Sequence, residues 1–382
     1  MKILHLTHTD INTDSRILKE IKVLAGEEDF FIHGLGVLSK NKSEKKVLNL
    51  DNVKIQSIKL LSKKLYFLPR LFRHPLVFIE LLLKVIYKIS KLDIDIVHCH
   101  DTLVLPIGSI VKKLKRTKLI YDAHELESNK NGQNKFMSLG TLIIEKKLWT
   151  SIDLLISVSE SIISWYNTEL GSKKSILVLN SPEIKKKLNN NSKIKYNEKY
   201  FHRKFNIPSD SFVFLYLGLL SKGRGIDKIL ETFNSIEIKS HVVFVGYGEM
   251  EKKITELTKL NNKIHFHYPV DHDMVVQLSQ NADFGLCLIE NISLSDFYCL
   301  PNKLFEYSFS GLPILASDFP ELSKIIRKFN LGICCNPELN EIISTIKKIE
   351  KSQKRIINSD LAELSWENQA KSLLIGYREL IF

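Results

Sequence analysis

The sequence has no long apolar run. Its most apolar stretch, Leu76 to Tyr87, is broken by Glu80 and Lys84 and falls short of the ~18 residues that a membrane span needs. Cysteine is scarce: five in 382 residues, with Cys334 and Cys335 adjacent and no C-x-x-C pair. That excludes a disulfide framework, favours a reducing compartment and leaves no structural zinc spacing. With only 16 Gly and 10 Pro, collagen-like and low-complexity classes are excluded. G-x-G-x-x-G is absent, so there is no dinucleotide fingerprint. The opening MKILHLTHTD has one Lys, a short apolar run ending at Thr7 and no small-residue cleavage site. It reads as a strand rather than a secretory leader, and a cytoplasmic location is expected. What is present is ordinary globular material, 44% hydrophobic and 26% charged, long enough for two or three domains.

The net charge is +12, and residues 40–92 hold 13 Lys/Arg against 3 Asp/Glu. Such a patch implies an anionic partner, nucleic acid or lipid. Arginine is rare, nine against 46 lysines, and base readout leans on arginine. Nucleic acid is therefore not expected. Residues 60–91 interleave aromatic and aliphatic side chains with Lys and Arg, which suits peripheral contact with an anionic membrane. A covering helix with solvated lysines would show a similar pattern.

Apolar runs of strand length alternate with amphipathic ones. Strands are expected at 2–7, 30–36, 53–59, 94–99, 118–121, 153–158 and 175–179, with helices at 15–25, 75–91, 102–115, 138–149 and 159–168. Several runs, such as LLISV at 154–158, are apolar on both faces and suit a covered parallel sheet. The Lys- and Asn-rich stretch 181–200 reads as a linker. A second series follows, with strands at 212–217, 241–245, 263–267, 283–288, 313–316 and 331–335. An amphipathic last helix, about 360–380, must dock on something. The expectation is α/β: two doubly wound, Rossmann-like parallel-sheet domains facing a cleft, with residues 1–180 and 201–358 as their bodies and 360–382 packing back on the first. Ligands of such sheets bind beyond the carboxyl ends of the strands.

Four segments sit at such ends. In FLYLGLLSKGRGIDKIL (214–230) a strand ends at Gly218, and Gly223, Arg224 and Gly225 precede a helix. Glycines admit a phosphate to the backbone, the helix N-terminus attracts it and Arg224 adds charge; a tight turn with a surface Arg would look the same. FVGYGEM (244–250) places Gly246 in another strand-to-helix turn. In LPNKLFEYSFSGLPILAS (300–317), Pro301 and Asn302 open a helix, with Lys303 and Glu306 one turn apart. A lysine opposes the dipole at a helix start, which an anionic ligand would explain, and Glu306 could accept ribose hydroxyls. A surface i,i+3 ion pair is the plain alternative. IVHCHDTLVLPIG (96–108) and LIYDAHELES (119–128) place His100 and His124 directly after strands. His98 and His100 share one strand face, but no third metal ligand lies near them in sequence.

Together these segments, with LLISVSES and the closing SWENQAKSLLIGY, resemble the GT-B nucleotide-sugar glycosyltransferases, in particular glycosyltransferase family 4, nearly end to end. The resemblance implies a donor site on the C-terminal domain, with Gly218, Arg224, Gly225, Gly246, Asn302, Lys303 and Glu306 binding the nucleoside-diphosphate sugar. Glu306 matches the second acid of the family's paired-glutamate motif; where the first would stand there is Tyr298, a candidate contact to the donor sugar. Leu219 replaces the usual Arg after the first glycine. His124 matches the cleft histidine near the reacting sugar and is the catalytic candidate. Asp10, Asp14, Arg16 and His100 line the acceptor-side loop.

The implied activity is retaining transfer of a UDP- or GDP-linked sugar to a lipid-linked or polysaccharide acceptor in cell-surface polysaccharide synthesis. No cofactor and no metal are expected, because Arg224, Lys303 and a helix N-terminus can stabilise the departing diphosphate. A non-catalytic sugar-nucleotide-binding scaffold and a GT-B nucleotide-sugar 2-epimerase are the alternatives.

Overall fold

A computed structural model describes residues 1–39, 50–183, 196–352, 357 and 359–380. The chain divides into two compact units: Met1–Val178 together with the chain from Ala370 onward, and Leu179–Gln369.

In the first unit seven parallel strands lie in the order β3-β2-β1-β4-β5-β6-β7. They are β1 (Lys2–Leu6), β2 (Phe31–Val37), β3 (Val53–Ile58), β4 (Ile96–His100), β5 (Lys118–Ala123), β6 (Leu154–Ser157) and β7 (Ser175–Leu177). Helices α1 (Ser15–Leu24), α2 (Arg70–Ile89), α3 (Leu105–Lys115), α4 (Lys135–Leu148) and α5 (Glu160–Leu170) make the crossovers. Every residue of β4 and β6 is buried, as expected of strands covered on both faces. The register sets His5 beside His98 and His100 beside Asp122. Polar side chains are thereby stacked inside the sheet near its carboxyl edge.

The second unit repeats the plan with six strands, β10-β9-β8-β11-β12-β13. These are β8 (Val213–Leu219), β9 (His241–Tyr247), β10 (Ile264–His267), β11 (Phe284–Cys287), β12 (Ile314–Ser317) and β13 (Gly332–Cys335). Its helices are α6 (Tyr200–Phe205), α7 (Ile226–Asn234), α8 (Glu251–Leu257), α9 (Val275–Ser279), α10 (Leu294–Phe297), α11 (Asn302–Phe309), α12 (Pro320–Lys328) and α13 (Leu339–Glu350). A core that includes Phe214, Tyr216, Phe233, Phe244 and Leu315 fills the space between sheet and helices. In both sheets the strand order reverses beside the first strand of the unit, the topological switch point where such folds bind ligands.

Several helix boundaries differ from expectation, most of all at α2 and at the last helix. Helix α2 begins at Arg70, five residues early, and carries Pro75 inside it. The last helix, α14 (Trp366–Arg378), begins at 366 rather than 360, because the Ser365 hydroxyl accepts the Asn368 N–H and caps it there. Helices α6 and α10 are too short to carry a periodic signal. Of the expected linker, 184–195 lie outside the described residues, while Ser181 and Tyr196 near its ends are buried.

Candidate active site

The first unit gathers charge where β1, β4 and β5 end. Asp14 caps α1 by accepting the N–H groups of Arg16 and Ile17, so this member of the expected acceptor loop works on the backbone. Asp10 likewise accepts from Asn12 and from the Ser39 N–H. Arg16 is buried. Its guanidinium grips Asp122 through two bonds of 2.9 and 3.1 Å, and Nη1 donates to the Val178 carbonyl at 2.9 Å. Arg16 is thus a strut between α1, β5 and the end of β7, not a free loop charge.

His124 follows β5 and keeps part of its ring exposed. Its Nε2 donates to Asp122 Oδ2 at 3.0 Å, and Nδ1 lies 3.6 Å from Asp101 Oδ1. Burial would lower its pKa, but Asp122 and Asp101 outweigh burial and raise it to about 10. The ring is an imidazolium at neutral pH. Asp122 is held well below the carboxylate range: burial opposes ionisation, and Arg16 and His124 overcome it. His100 is fully buried, with Nδ1 3.3 Å from Asp122 Oδ2 and 3.2 Å from His124 Nε2.

Asp101 is a residue that sequence reasoning passed over. It has φ 69° and ψ 161°, a region that only glycine enters without strain. The strain holds its carboxylate between His124 and His8, whose Nδ1 lies 3.8 Å away. The D of VHCHD was the available signal.

The second unit gathers a different set. Gly225 (φ 72°) begins α7, and a Cβ there would stand 2.3 Å from the Leu288 carbonyl oxygen. A Cβ at Gly246 would stand 1.9 Å from the Gly218 oxygen. Gly218 (φ 116°) meets nothing within 4 Å, so its backbone is open. Leu219 is about half exposed at the same edge, and Arg224 in the glycine turn is half-buried.

Lys303 lies in the first turn of α11 and is buried. Its ammonium sits 3.6 Å from the centre of the Tyr216 ring and makes no hydrogen bond with any described residue. Burial, with Arg224 opposing a second charge, pulls its pKa down to about 8. Glu306, one turn on, is also buried, with Oε1 3.5 Å from His272 Nδ1. A surface Lys–Glu pair is therefore excluded. The fold brings His272, which no sequence motif singles out, to Glu306. Asn302 is exposed and Tyr298 half-buried beside the same helix start.

Outside both clusters, α2 is apolar on two faces. Leu81, Val85 and Ile89 are buried, while Phe72, Leu76, Ile79, Leu83 and Tyr87 are exposed at helical spacing. Lys63 and Lys64 are exposed just before it. No helix among the described residues is long and apolar enough to cross a membrane.

Two doubly wound parallel sheets, each with its polar residues at the switch point, are the architecture of the GT-B glycosyltransferases. The profile described as Glycosyltransferase Family 4 matches residues 47–180, and that described as Glycosyl transferases group 1 matches 197–362. An O-antigen biosynthesis glycosyltransferase, WclY of Escherichia coli, is 24% identical over 285 residues, covering 68% of this chain and 72% of the relative. The sucrose-phosphate synthase of Thermosynechococcus elongatus has the same fold, with a TM-score of 0.78 at 15% identity over 99% of this chain and 98% of that one. Anabaena HepE, solved in complex with UDP, superposes with a TM-score of 0.66 at 15% identity over 100% and 98%. The chain belongs to the GT-B glycosyltransferases of the family 4 type, and it is an enzyme of that class.

Proposed function

We propose that the enzyme transfers a sugar, with retention and without a metal on the donor, from a nucleoside-diphosphate sugar to a lipid-linked or polysaccharide acceptor of the cell surface. The observation that carries this reading is the Lys303 ammonium: buried, without a hydrogen-bonding partner among the described residues, and within the field of Arg224 in the strand-turn-helix of β8 and α7. Two cations held together at a helix N-terminus are stable only against an anion. A diphosphate fits that charge and that place, and its departure is the step that needs stabilising. Glu306 and His272 stand where α11 begins and take the ribose. The UDP found with HepE supports a nucleoside diphosphate as the ligand.

In the first unit, His124 is the charged group left partly exposed at the carboxyl edge of the sheet. Fixed as imidazolium between two carboxylates, it donates hydrogen bonds and stabilises negative charge; it is a poor general base. That matches a transfer in which the leaving phosphate takes the acceptor's proton. Asp122 is already engaged by Arg16, His100 and His124, so it is not a free nucleophile for a double displacement. The exposed apolar stripe of α2, flanked by Lys63, Lys64 and Arg73, supports peripheral contact with an anionic bilayer, where a lipid-linked acceptor would be met. The O-antigen role in the name of WclY supports that acceptor class.

The test is calorimetric titration with UDP, GDP, ADP and TDP, followed by Glu306→Ala. Tight binding of one diphosphate, lost in the variant, upholds the donor site. Binding of none, or unchanged binding by the variant, overturns it.

A further inference from the structure

The second polar cluster of the first unit lies deeper than His124. β1 and β4 are neighbours in register, which brings His5 beside His98, and α1 carries Glu20 across them. One donor atom each from His5, Glu20, His98 and His100 lie within 4.8 Å of one another. All four residues are fully buried. His5 Nε2, His98 Nε2 and Glu20 Oε2 form no hydrogen bond with any described residue. Buried polar atoms left so are costly to the fold.

His5 is held at one ring nitrogen only: its Nδ1 lies 2.9 Å from His100 Nε2, and His100 Nδ1 in turn lies 3.3 Å from Asp122 Oδ2 and 3.2 Å from His124 Nε2. The other ring nitrogen of His5, Nε2, has no hydrogen-bond partner among the described residues. His98 is held at its other nitrogen as well, with Nδ1 2.6 Å from the Tyr377 hydroxyl. The remaining charges are accounted for. Arg16 Nε lies 3.2 Å from Glu20 Oε1 but is shared with Asp122, and Asp122 Oδ2 lies 3.8 Å from His98 Nε2. His5, His98 and Glu20 thus bring unpartnered, buried donor atoms together where one cation could be shared among them.

We propose that His5, His98 and Glu20 form a buried binding site for a divalent transition-metal ion of zinc type, joining β1, α1 and β4. Two imidazoles and one carboxylate are a donor set that zinc accepts, with bonds of about 2.0–2.2 Å; magnesium and calcium prefer all-oxygen sites. The 4.0 Å between His98 Nε2 and Glu20 Oε2 is within the span of two such bonds. His100 and Tyr377 hold the far nitrogens of the ligands, the usual outer-shell support. The site lies in the first unit and takes no part in holding the donor diphosphate. Its role is to staple the sheet beneath His124.

The test uses the full chain, stripped with a chelator and then titrated with Zn2+ and, separately, Co2+. The expected result is one zinc per chain, a higher Tm on reloading, and Co2+ absorption bands of nitrogen and oxygen coordination. His5→Gln and Glu20→Gln should abolish those bands. Tyr377→Phe, which keeps all three ligands, should weaken zinc binding by about 10–100-fold. Circular dichroism of each variant separates loss of ligation from loss of fold. If the wild type retains no zinc and its Tm ignores it, or if the cobalt bands survive in both Gln variants, the proposal fails, and the cluster holds a proton between Glu20 and His5 instead.

Discussion

Replacing Lys303 by methionine is expected to make the protein more stable and worse at holding its donor. The buried ammonium has its pKa lowered from 10.5 to about 8, which corresponds to about 3 kcal/mol spent on keeping it charged. Methionine keeps the unbranched stem and places a polarisable sulfur over the Tyr216 ring. The cation–π contact that is lost returns about 0.5–2 kcal/mol of that gain. A net stabilisation of about 1–2 kcal/mol at pH 7 remains, or roughly 2–8 °C in Tm for a domain of this size. The pH dependence has a definite sign. A depressed lysine pKa means that the unfolded chain binds more protons between about pH 8 and 10.5. The cost is complete below pH 8 and fades toward 10.5, so the advantage of the variant should fade over the same window. On the donor side, one charged hydrogen bond is worth about 1.5–3 kcal/mol, so the dissociation constant should rise roughly 10- to 150-fold. Calorimetric titration and thermal melts at pH 7 and pH 10 check both halves. A variant that melts lower than wild type at pH 7 and binds the diphosphate equally well would refute the reasoning, and Lys303 would then be a packing residue.

Glu306→Ala should raise the donor dissociation constant by about tenfold or more, read by calorimetry with the diphosphate that binds. Asp122→Asn removes the carboxylate charge that the buried Arg16 grips through two bonds and should cost about 3–5 kcal/mol in a denaturant melt; a loss under 1 kcal/mol would contradict the strut. His124 has a raised pKa, so its stabilising contribution is complete below about pH 6.5 and is lost as pH climbs toward 10. The gap in Tm between wild type and His124→Gln should therefore close over that window. Neutralising Lys63, Lys64 and Arg73 should weaken sedimentation with anionic liposomes by on the order of 100-fold, at about 1 kcal/mol per charge; equal binding would remove the membrane contact.

Strand positions were legible because a parallel sheet buried on both faces forces continuous apolar runs, as in LLISV at 154–158 and FVFLYL at 212–217. The strand-to-helix turn after β8 and the start of the helix at Asn302 were legible because glycine and the Pro301-Asn302 pair mark such ends. Helix ends were less so. The start of α14 depends on one hydroxyl, that of Ser365, and a cap adds no periodicity. Partnerships across the sheet were hidden almost entirely. His5 and His98 are 93 positions apart, and nothing local says that register will pair them. Arg16 looked like a loop charge because its partner Asp122 is 106 positions away. His272 gives no local signal for the same reason: only folding brings it to Glu306. What a sequence shows is periodicity and turn chemistry; which distant charges neutralise one another is decided by topology.

The central claim is that the Lys303–Arg224 pair holds the diphosphate of a nucleotide donor. The measurement that tests it most directly is a pair of calorimetric titrations on the wild-type protein, with a nucleoside diphosphate and with the same nucleoside lacking its phosphates. Two charged contacts of about 1.5–3 kcal/mol each predict that the diphosphate binds at least ~100-fold more tightly. Equal affinity for the two, or binding of neither across the UDP, GDP, ADP and TDP series, would contradict the account.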